Sequence, residues 1–292
     1  MIVDQNLPQK IETKLGGEYN VESVINDDGT QTLNINYVGS AYENKLSQLV
    51  NGEQVFITDK DLGKITQIRD NAFHNSNITG IIIPDSVTRI GENAFYTCQW
   101  LTEVTIPNSV ETTGNQPFAS CGRLTKLVVS NNLKIIKTSF AASCSALKEL
   151  YLPEGVETIM SYAFSNTKLS NITIPNTVTT IYAAAFRYNS VVETIEIPNS
   201  VTSLGDNVFQ NCTGLTSVAI GNGITSIGSA AFRGCSGLTE MTIKATTPPS
   251  LANTNAISTA TTTIYIPVGT LEAYSTATNW SSFASKFVEK EM

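Results

Sequence analysis

Short stretches of alternating apolar and polar residues recur along the chain at a nearly constant interval. In the stretch LTEVTI (101–106), Val104 and Ile106 are placed to point inward, whereas Thr105 points outward. This two-residue period predicts a β-strand with one buried face. Pro107 follows, and it ends the strand because proline has no N–H to donate to a sheet. Each such stretch is therefore predicted to be one short strand.

A second apolar pair and a turn of small residues complete each unit. In VTTI (178–181) the pair is Val178 and Ile181, and the following AAAF predicts one helical turn that carries Ala185 and Phe186 inward. The phenylalanine marks the period, with successive gaps of 22, 23, 22, 24, 22, 23 and 23 residues. The marking residues are Phe73, Phe95, Phe118, Phe140, Phe164, Phe186, Phe209 and Phe232.

The repeat predicts a solenoid. A unit this short cannot bury its apolar face alone, so consecutive units must stack on one another. Stacked strands lie about 4.8 Å apart, so eight or nine coils would give a rod of roughly 40 Å with a parallel sheet along one side.

The cysteines follow the same period. Cys98, Cys121, Cys144, Cys212 and Cys235 are separated by 23, 23, 68 and 23 residues, and small polar residues such as Ser76 and Asn189 occupy the missing places. A zinc site would need closely paired cysteines with histidine partners, and a disulfide framework usually has an even number of cysteines. We therefore predict a ladder of half-buried thiols and amides that hydrogen-bond the backbone of the neighbouring coil, with disulfides and zinc as less favoured alternatives.

The pattern L-x-x-V-x-I-P-x-x-V-x-x-I-G-x-x-A-F-x-x-C, read over about residues 55–266, resembles the BspA-like (Treponema-type) leucine-rich repeats. The resemblance implies an α/β fold: a right-handed leucine-rich-repeat solenoid with one parallel sheet on the concave face, and short strands and single helical turns on the convex side. Some coils depart from the pattern. Thr113, Pro117 and Lys137 replace the expected Ile, Ala and Gly, and one residue is inserted before Cys144, so we predict an irregular convex side around 110–145.

The ends of the chain differ from the repeats and are predicted to cap the solenoid, because terminal coils would otherwise expose core and sheet edge. The N-terminal part reads as a hairpin that turns at Asp28-Gly29, followed by a helix from Ser40; a remnant of a neighbouring domain is the alternative. At the C-terminal end, Trp280 and Phe283 are predicted to cover the last coil. The predicted parts are an N-terminal cap (1–52), repeats of 22–24 residues (53–245) and a C-terminal capping segment (246–292).

Charge and motifs exclude several classes of function. The net charge of −7 argues against nucleic acid as a partner, since phosphate binding needs clustered Lys and Arg. No run of 18 apolar residues is present, so no transmembrane segment is predicted. The stretch MIVDQNLPQK lacks the pattern of a signal peptide, which leaves a cytoplasmic and an exported chain both open. The single histidine, His74, has no evident catalytic partners, so we predict no enzyme, no cofactor and no metal site.

The remaining candidate is a binding surface. The outward strand positions include apolar and aromatic residues, which favour a partner when they are exposed on a sheet. The candidate ligand-binding residues are Trp100, Ile82, Thr105, Val128, Tyr151 and Glu196. The resemblance implies a bacterial cell-surface or secreted protein, extracellular in location, that mediates adhesion by binding a protein or glycan, including that of a host. We predict a monomer. The alternative is a structural spacer or assembly module of a larger surface protein with no ligand of its own.

Overall fold

The chain is described by a computed structural model at residues 11–12, 18–25, 31–38, 54–56 and 66–292. It forms a parallel-strand solenoid, as the repeat predicts, with about 10 turns where eight or nine coils are predicted. In the coil around Thr105, Val104 and Ile106 are buried and Thr105 is exposed, which confirms the predicted alternation. One continuous hydrophobic core runs through the coils from Ile68 to Phe283.

The first strand column, which forms the concave face, contributes one strand per coil. Its strands are Gln54–Phe56, Gly80–Ile82, Glu103–Thr105, Lys126–Val128, Glu149–Tyr151, Thr194–Ile197, Ser217–Ile220, Glu240–Ile243, Thr263–Pro267 and Phe287–Lys290. All pairings within the column are parallel and advance by one coil, so that Lys126 lies opposite both Glu103 and Glu149. Within 66–292 the ladder is interrupted twice: between Gly80–Ile82 and Glu103–Thr105, and at the coil of residues 171–174.

The second strand column consists of two-residue strands. These are Gln67–Ile68, Arg89–Ile90, Thr112–Thr113, Ile135–Ile136, Thr158–Ile159, Thr180–Ile181, Ser203–Leu204, Ser226–Ile227 and Ser250–Leu251. The column divides into two sheets between Thr112–Thr113 and Ile135–Ile136. The hydroxyl of Thr113, which stands where isoleucine is expected, is buried without a hydrogen-bond partner. The predicted irregularity around 110–145 is thus confirmed.

The segments around the phenylalanines are turns of a different kind from the predicted helical turn. Between residues 66 and 245 the structure contains no helix. In the coil of Phe95, Asn93 and Thr97 have left-handed backbones, with φ of 52° and 58°, and an α-helix does not accommodate such residues. The N–H groups of Asn93 and Phe95 donate to carbonyls of the next coil, at 3.0 and 2.8 Å. Bonding between coils therefore replaces bonding within a helix.

The phenylalanines form a buried column through the whole array. Ring centroids of successive members lie 5.0–5.7 Å apart, except for 6.2 Å between Phe140 and Phe164. Phe140 contacts both neighbours edge-on, whereas the other pairs are stacked. The insertion predicted before Cys144 is wrong. Ala141 donates its N–H to Ala163 as the phenylalanines of other coils do, so Phe140 and Ala141 have exchanged places without a change in coil length.

The N-terminal strands lead into the first column. Glu18–Ile25 pairs antiparallel with Gln31–Val38 and with Ile11–Glu12, and Gln31–Val38 pairs parallel with Gln54–Phe56. The predicted turn at Asp28-Gly29 and the predicted helix from Ser40 lie outside the described residues.

The C-terminal residues pack against the last coils. They comprise the 3₁₀ helices Thr254–Ala256 and Trp280–Lys286 and the α-helix Leu271–Thr276, besides the last two strands of the first column. Trp280 is fully buried and its Nε1 donates to the carbonyl of Pro249 at 2.7 Å. A carboxylate oxygen of Glu289, Oε1, accepts three backbone N–H groups at 2.8–3.0 Å, from Gly269, Thr270 and Leu271. The final strand is thereby tied to the start of the helix.

Candidate functional site

The outward side chains of the first strand column lie in two rows, one side chain per coil. The registers place Thr105, Val128 and Tyr151 side by side on consecutive coils. Further along, Glu196 is followed by Ala219 and Thr242 in the same row. Ile82 and Tyr151 are about half exposed, at 52% and 53%. Of the four residues of this row from Ile82 to Tyr151, three are therefore apolar or aromatic: Ile82, Val128 and Tyr151.

Three of the predicted site residues line one concavity of about 880 Å³ on this face. They are Ile82, Thr105 and Val128, from three consecutive coils. Its volume falls in the range of about 300–1,000 Å³ that is typical of ligand pockets. The concavity lies at the first interruption of the strand column, where the N–H of Thr102 donates to Thr79 at 3.1 Å but no ladder joins the two strands. Buried core residues such as Ile81 and Ile106 reach its wall there.

Tyr151 borders this surface without lining the concavity. Its hydroxyl lies 3.4 Å from a carboxylate oxygen of Glu149 on the same strand. The ammonium of Lys126 lies over the Tyr151 ring, 5.7 Å from the centroid. Lys126 thus lies between Glu103 and Glu149 in the register, but its side chain interacts with the aromatic ring.

Trp100 and Glu196 lie apart from the concavity. Trp100 precedes its strand in a loop and is 43% exposed. The guanidinium of Arg123 lies over its ring, 3.8 Å from the ring centroid. Glu196 lies beyond the second interruption of the column and forms a salt bridge of 3.1 Å with Lys244. The structure thus groups Ile82, Thr105 and Val128, puts Tyr151 beside them, and separates the other two.

Sequence reasoning missed the polar rim of the concavity. Asp85 and Asn108 follow the prolines at the ends of their strands, and Asn131 occupies the same place in the next coil. The backbone N–H of Asn131 donates to Oδ1 of Asn108 at 3.0 Å. The signal was available, because a polar residue follows the strand-ending segment in most coils and the resulting row must run beside the outward strand positions.

A second group of exposed aromatic residues was also missed. Tyr162, Tyr182 and Tyr188 are 42–45% exposed and belong to the turn segments of two consecutive coils. The guanidinium of Arg187 lies 4.5 Å from the Tyr188 ring centroid, and its Nη2 donates to the tyrosine hydroxyl at 3.0 Å. These residues lie on the turn side of the coils, away from the first strand column.

The thiols form the predicted ladder, although they are fully buried and not half-buried. Each thiol donates to the carbonyl of the phenylalanine in the preceding coil, at 3.0–3.3 Å; the donors are Cys98, Cys121, Cys144, Cys212 and Cys235. Hydrogen bonding with the neighbouring thiols of Cys144 and Cys98, together with burial, raises the pKa of Cys121 well above its ordinary value. A thiol held neutral and inaccessible acts as a structural hydrogen-bond donor.

We expect Cys121→Ala to lower the free energy of unfolding by about 1–2 kcal/mol, because it removes a buried hydrogen bond and leaves a small void. Cys121→Ser should cost less, since Ser258 at the equivalent position donates its hydroxyl to the preceding coil at 2.7 Å. Urea denaturation of the two variants would test this. An alanine variant as stable as the serine variant would contradict the role of the thiol as a donor.

The single histidine of the sequence and the acidic residues were the remaining candidates for chemistry. His74 is partly buried and packs against the Tyr96 ring, with 5.3 Å between centroids. Within the described part of the chain, no cluster of three or more His, Cys, Asp or Glu side chains could hold a metal ion. We also find no helix there with the length and apolarity that a membrane span needs.

Stacked coils with inward leucine, isoleucine and phenylalanine and an open parallel strand face define a leucine-rich-repeat solenoid. The profile described as "BspA type Leucine rich repeat region" matches residues 66–193 and 184–275, with six copies. The chain belongs to this BspA-type leucine-rich repeat family, a family of bacterial surface-type proteins whose fold is generally non-enzymatic.

Solved structures similar to the chain are bacterial leucine-rich repeat proteins. A leucine rich cell surface protein of Faecalibacterium prausnitzii is 21% identical over 98% of this chain and 95% of its own, with a TM-score of 0.43. The leucine-rich repeat protein TpLRR of T. pallidum is 18% identical over 92% and 95%, with a TM-score of 0.46. A leucine-rich repeat protein of Bacteroides ovatus is 19% identical over 99% and 100%, with a TM-score of 0.40. No curated protein sequence matches the chain.

Proposed function

We propose that the chain is a cell-surface or secreted adhesion module that binds a protein or glycan through the concave strand face. The observation that supports this best is the row of Ile82, Thr105, Val128 and Tyr151 beside a concavity, in which Ile82 and Tyr151 are exposed and Val128 is partly exposed. Exposed apolar side chains grouped on one face favour a partner, because water contact with them is unfavourable. The surface location draws on the family and on the cell-surface protein of Faecalibacterium prausnitzii.

The adhesion proposal is tested with the double variant Val128→Ser, Tyr151→Ser. Both side chains project from the strand face, so the substitutions should leave the fold intact and weaken saturable binding at least about ten-fold, as loss of central interface contacts does. Purified chain would be titrated onto a panel of immobilised extracellular matrix proteins and a glycan array. Tyr182→Ser is the matched control, since Tyr182 is equally an exposed tyrosine but lies on the turn side.

The alternative is a spacer or assembly module of a larger surface protein with no ligand of its own. An extended stack of near-identical coils suits that role, because its length is set by the number of coils. A spacer would show no saturable binding anywhere on the panel. Binding that the double variant retains, but that Tyr182→Ser removes, would instead move the site to the turn side and contradict the proposed face.

A further inference from the structure

The lining of the concavity on the strand face is mixed, with polar residues and six aliphatic ones. The aliphatic residues are Ile81, Ile82, Ile83, Ile106, Val128 and Val129. Four of them are buried in the hydrophobic core, so Ile82 and Val128 supply the accessible aliphatic groups of the concavity. No aromatic side chain is among its described lining residues. Accessible aliphatic groups such as those of Ile82 and Val128 suit contact with an aliphatic side chain of a protein.

The charge of the rim is negative. Asp85 and Glu103 are the charged side chains among the described lining residues, and both are exposed. Neither carboxylate forms an ion pair with a described residue. The nearest cation in the register, Lys126, directs its ammonium to the Tyr151 ring. The carboxylates are therefore free to pair with a cation from outside.

We propose that the concavity binds a basic protein segment, in which an aliphatic side chain contacts Ile82 and Val128 and flanking Lys or Arg residues pair with Asp85 and Glu103. The proposal rests on the proposed function, because it names the partner of the same strand face. Complementary charge on the rim fixes the orientation of such a segment and speeds its association. The amides of Asn108 and Asn131 at the rim supply further hydrogen-bonding groups for a peptide backbone.

The experiment uses the full chain with isotope-labelled isoleucine and valine methyl groups, observed by NMR. Three synthetic peptides serve as probes: a Lys-Leu-Lys sequence, a Glu-Leu-Glu sequence and a Lys-Ser-Lys sequence, each within the same flanking glycines. The Lys-Leu-Lys peptide should shift the Ile82 and Val128 methyl resonances in a saturable manner. The other two should bind about three- to ten-fold more weakly, because each lacks either the charge pairing or the aliphatic contact.

The double variant Asp85→Asn, Glu103→Gln should bind the Lys-Leu-Lys peptide more weakly, by a similar factor of about three to ten. The salt dependence of this binding should also be lost. Glu240→Gln is the matched control, because Glu240 occupies the same row as Glu103 on a distant coil and should leave binding unchanged. Equal binding of the Glu-Leu-Glu peptide, or no saturable methyl shift with Lys-Leu-Lys, would overturn the proposal.

The same samples separate this proposal from the adhesion proposal. A matrix protein or glycan that binds the strand face without competition from the Lys-Leu-Lys peptide would leave adhesion standing and overturn the basic-segment proposal. Peptide binding at Ile82 and Val128 without any partner on the adhesion panel would support the basic-segment proposal and contradict the adhesion proposal.

Discussion

Replacing Phe186 with alanine is expected to lower the free energy of unfolding by about 3–5 kcal/mol. Phe186 is fully buried near the middle of the array, and its ring stacks between Phe164 and Phe209 with centroids 5.6 and 5.5 Å away. Truncation removes the buried ring and leaves a void that coils held on both sides cannot close. Because each coil contacts only its neighbours, the void also weakens the coupling between the two halves of the solenoid.

Urea denaturation followed by circular dichroism measures this effect. Tyr182→Ala is the control in the same coil, because its side chain is 44% exposed and its truncation should change stability by less than about 0.5 kcal/mol. Phe186→Leu should fall between the two, since it retains part of the buried apolar area. A denaturation midpoint of Phe186→Ala that equals the wild-type value would show that the column does not hold the coils together.

The strands and the phenylalanine column could be predicted because the types of side chain that form them recur at fixed positions in the sequence. A buried aromatic ring in each coil has to meet the ring of the next, and alternation around Thr105 fixes which side chains face outward. The register of Glu103, Lys126 and Glu149 followed from the constant step between coils. What the lysine contacts could not be predicted, because the choice between a carboxylate and the Tyr151 ring depends on rotamers.

The interruptions of the first strand column were not predicted, although the sequence carries a signal for them. In most coils the cysteine position precedes the first leucine of the strand segment by three residues, as Cys98 precedes Leu101. The step is two residues from Ser76 to Ile78 and from Thr167 to Leu169. These are the two coils at which the ladder is interrupted. The concavity is found at the first of these coils.

The turn segments were misread as helical because small residues before a phenylalanine favour a helix locally. Tyr162 and Ala184 adopt left-handed backbones, with φ of 59° and 55°, although neither residue type prefers them. Inter-coil hydrogen bonds stabilise this conformation: the N–H of Tyr162 donates to the next coil at 3.0 Å. The neighbouring coil therefore determines the backbone, and the sequence of one coil does not contain that information.

Trp280→Ala is expected to destabilise the C-terminal end by about 3–5 kcal/mol, the range for truncation of a buried tryptophan. The indole is fully buried and contacts the Tyr274 and Phe283 rings, with 5.6 and 6.3 Å between centroids. Its Nε1 donates a hydrogen bond to the carbonyl of Pro249. Trp280→Phe is the matched variant, because it keeps an aromatic ring and loses the hydrogen bond, at a cost of about 1–2 kcal/mol.

The effect of Trp280→Ala should be local, since the terminal coil has a neighbour on one side only. Amide hydrogen exchange would show faster exchange at Ile264 and Ile266, in the strand that pairs with the final strand, and unchanged exchange at Val104 and Leu127 in distant coils. Such a gradient is what a capping segment produces, because it protects the end coil before any other. Equal acceleration throughout the array would instead mean that the C-terminal residues are part of one global unit, and protection unchanged at Ile264 would mean that residues 246–292 do not cap the solenoid.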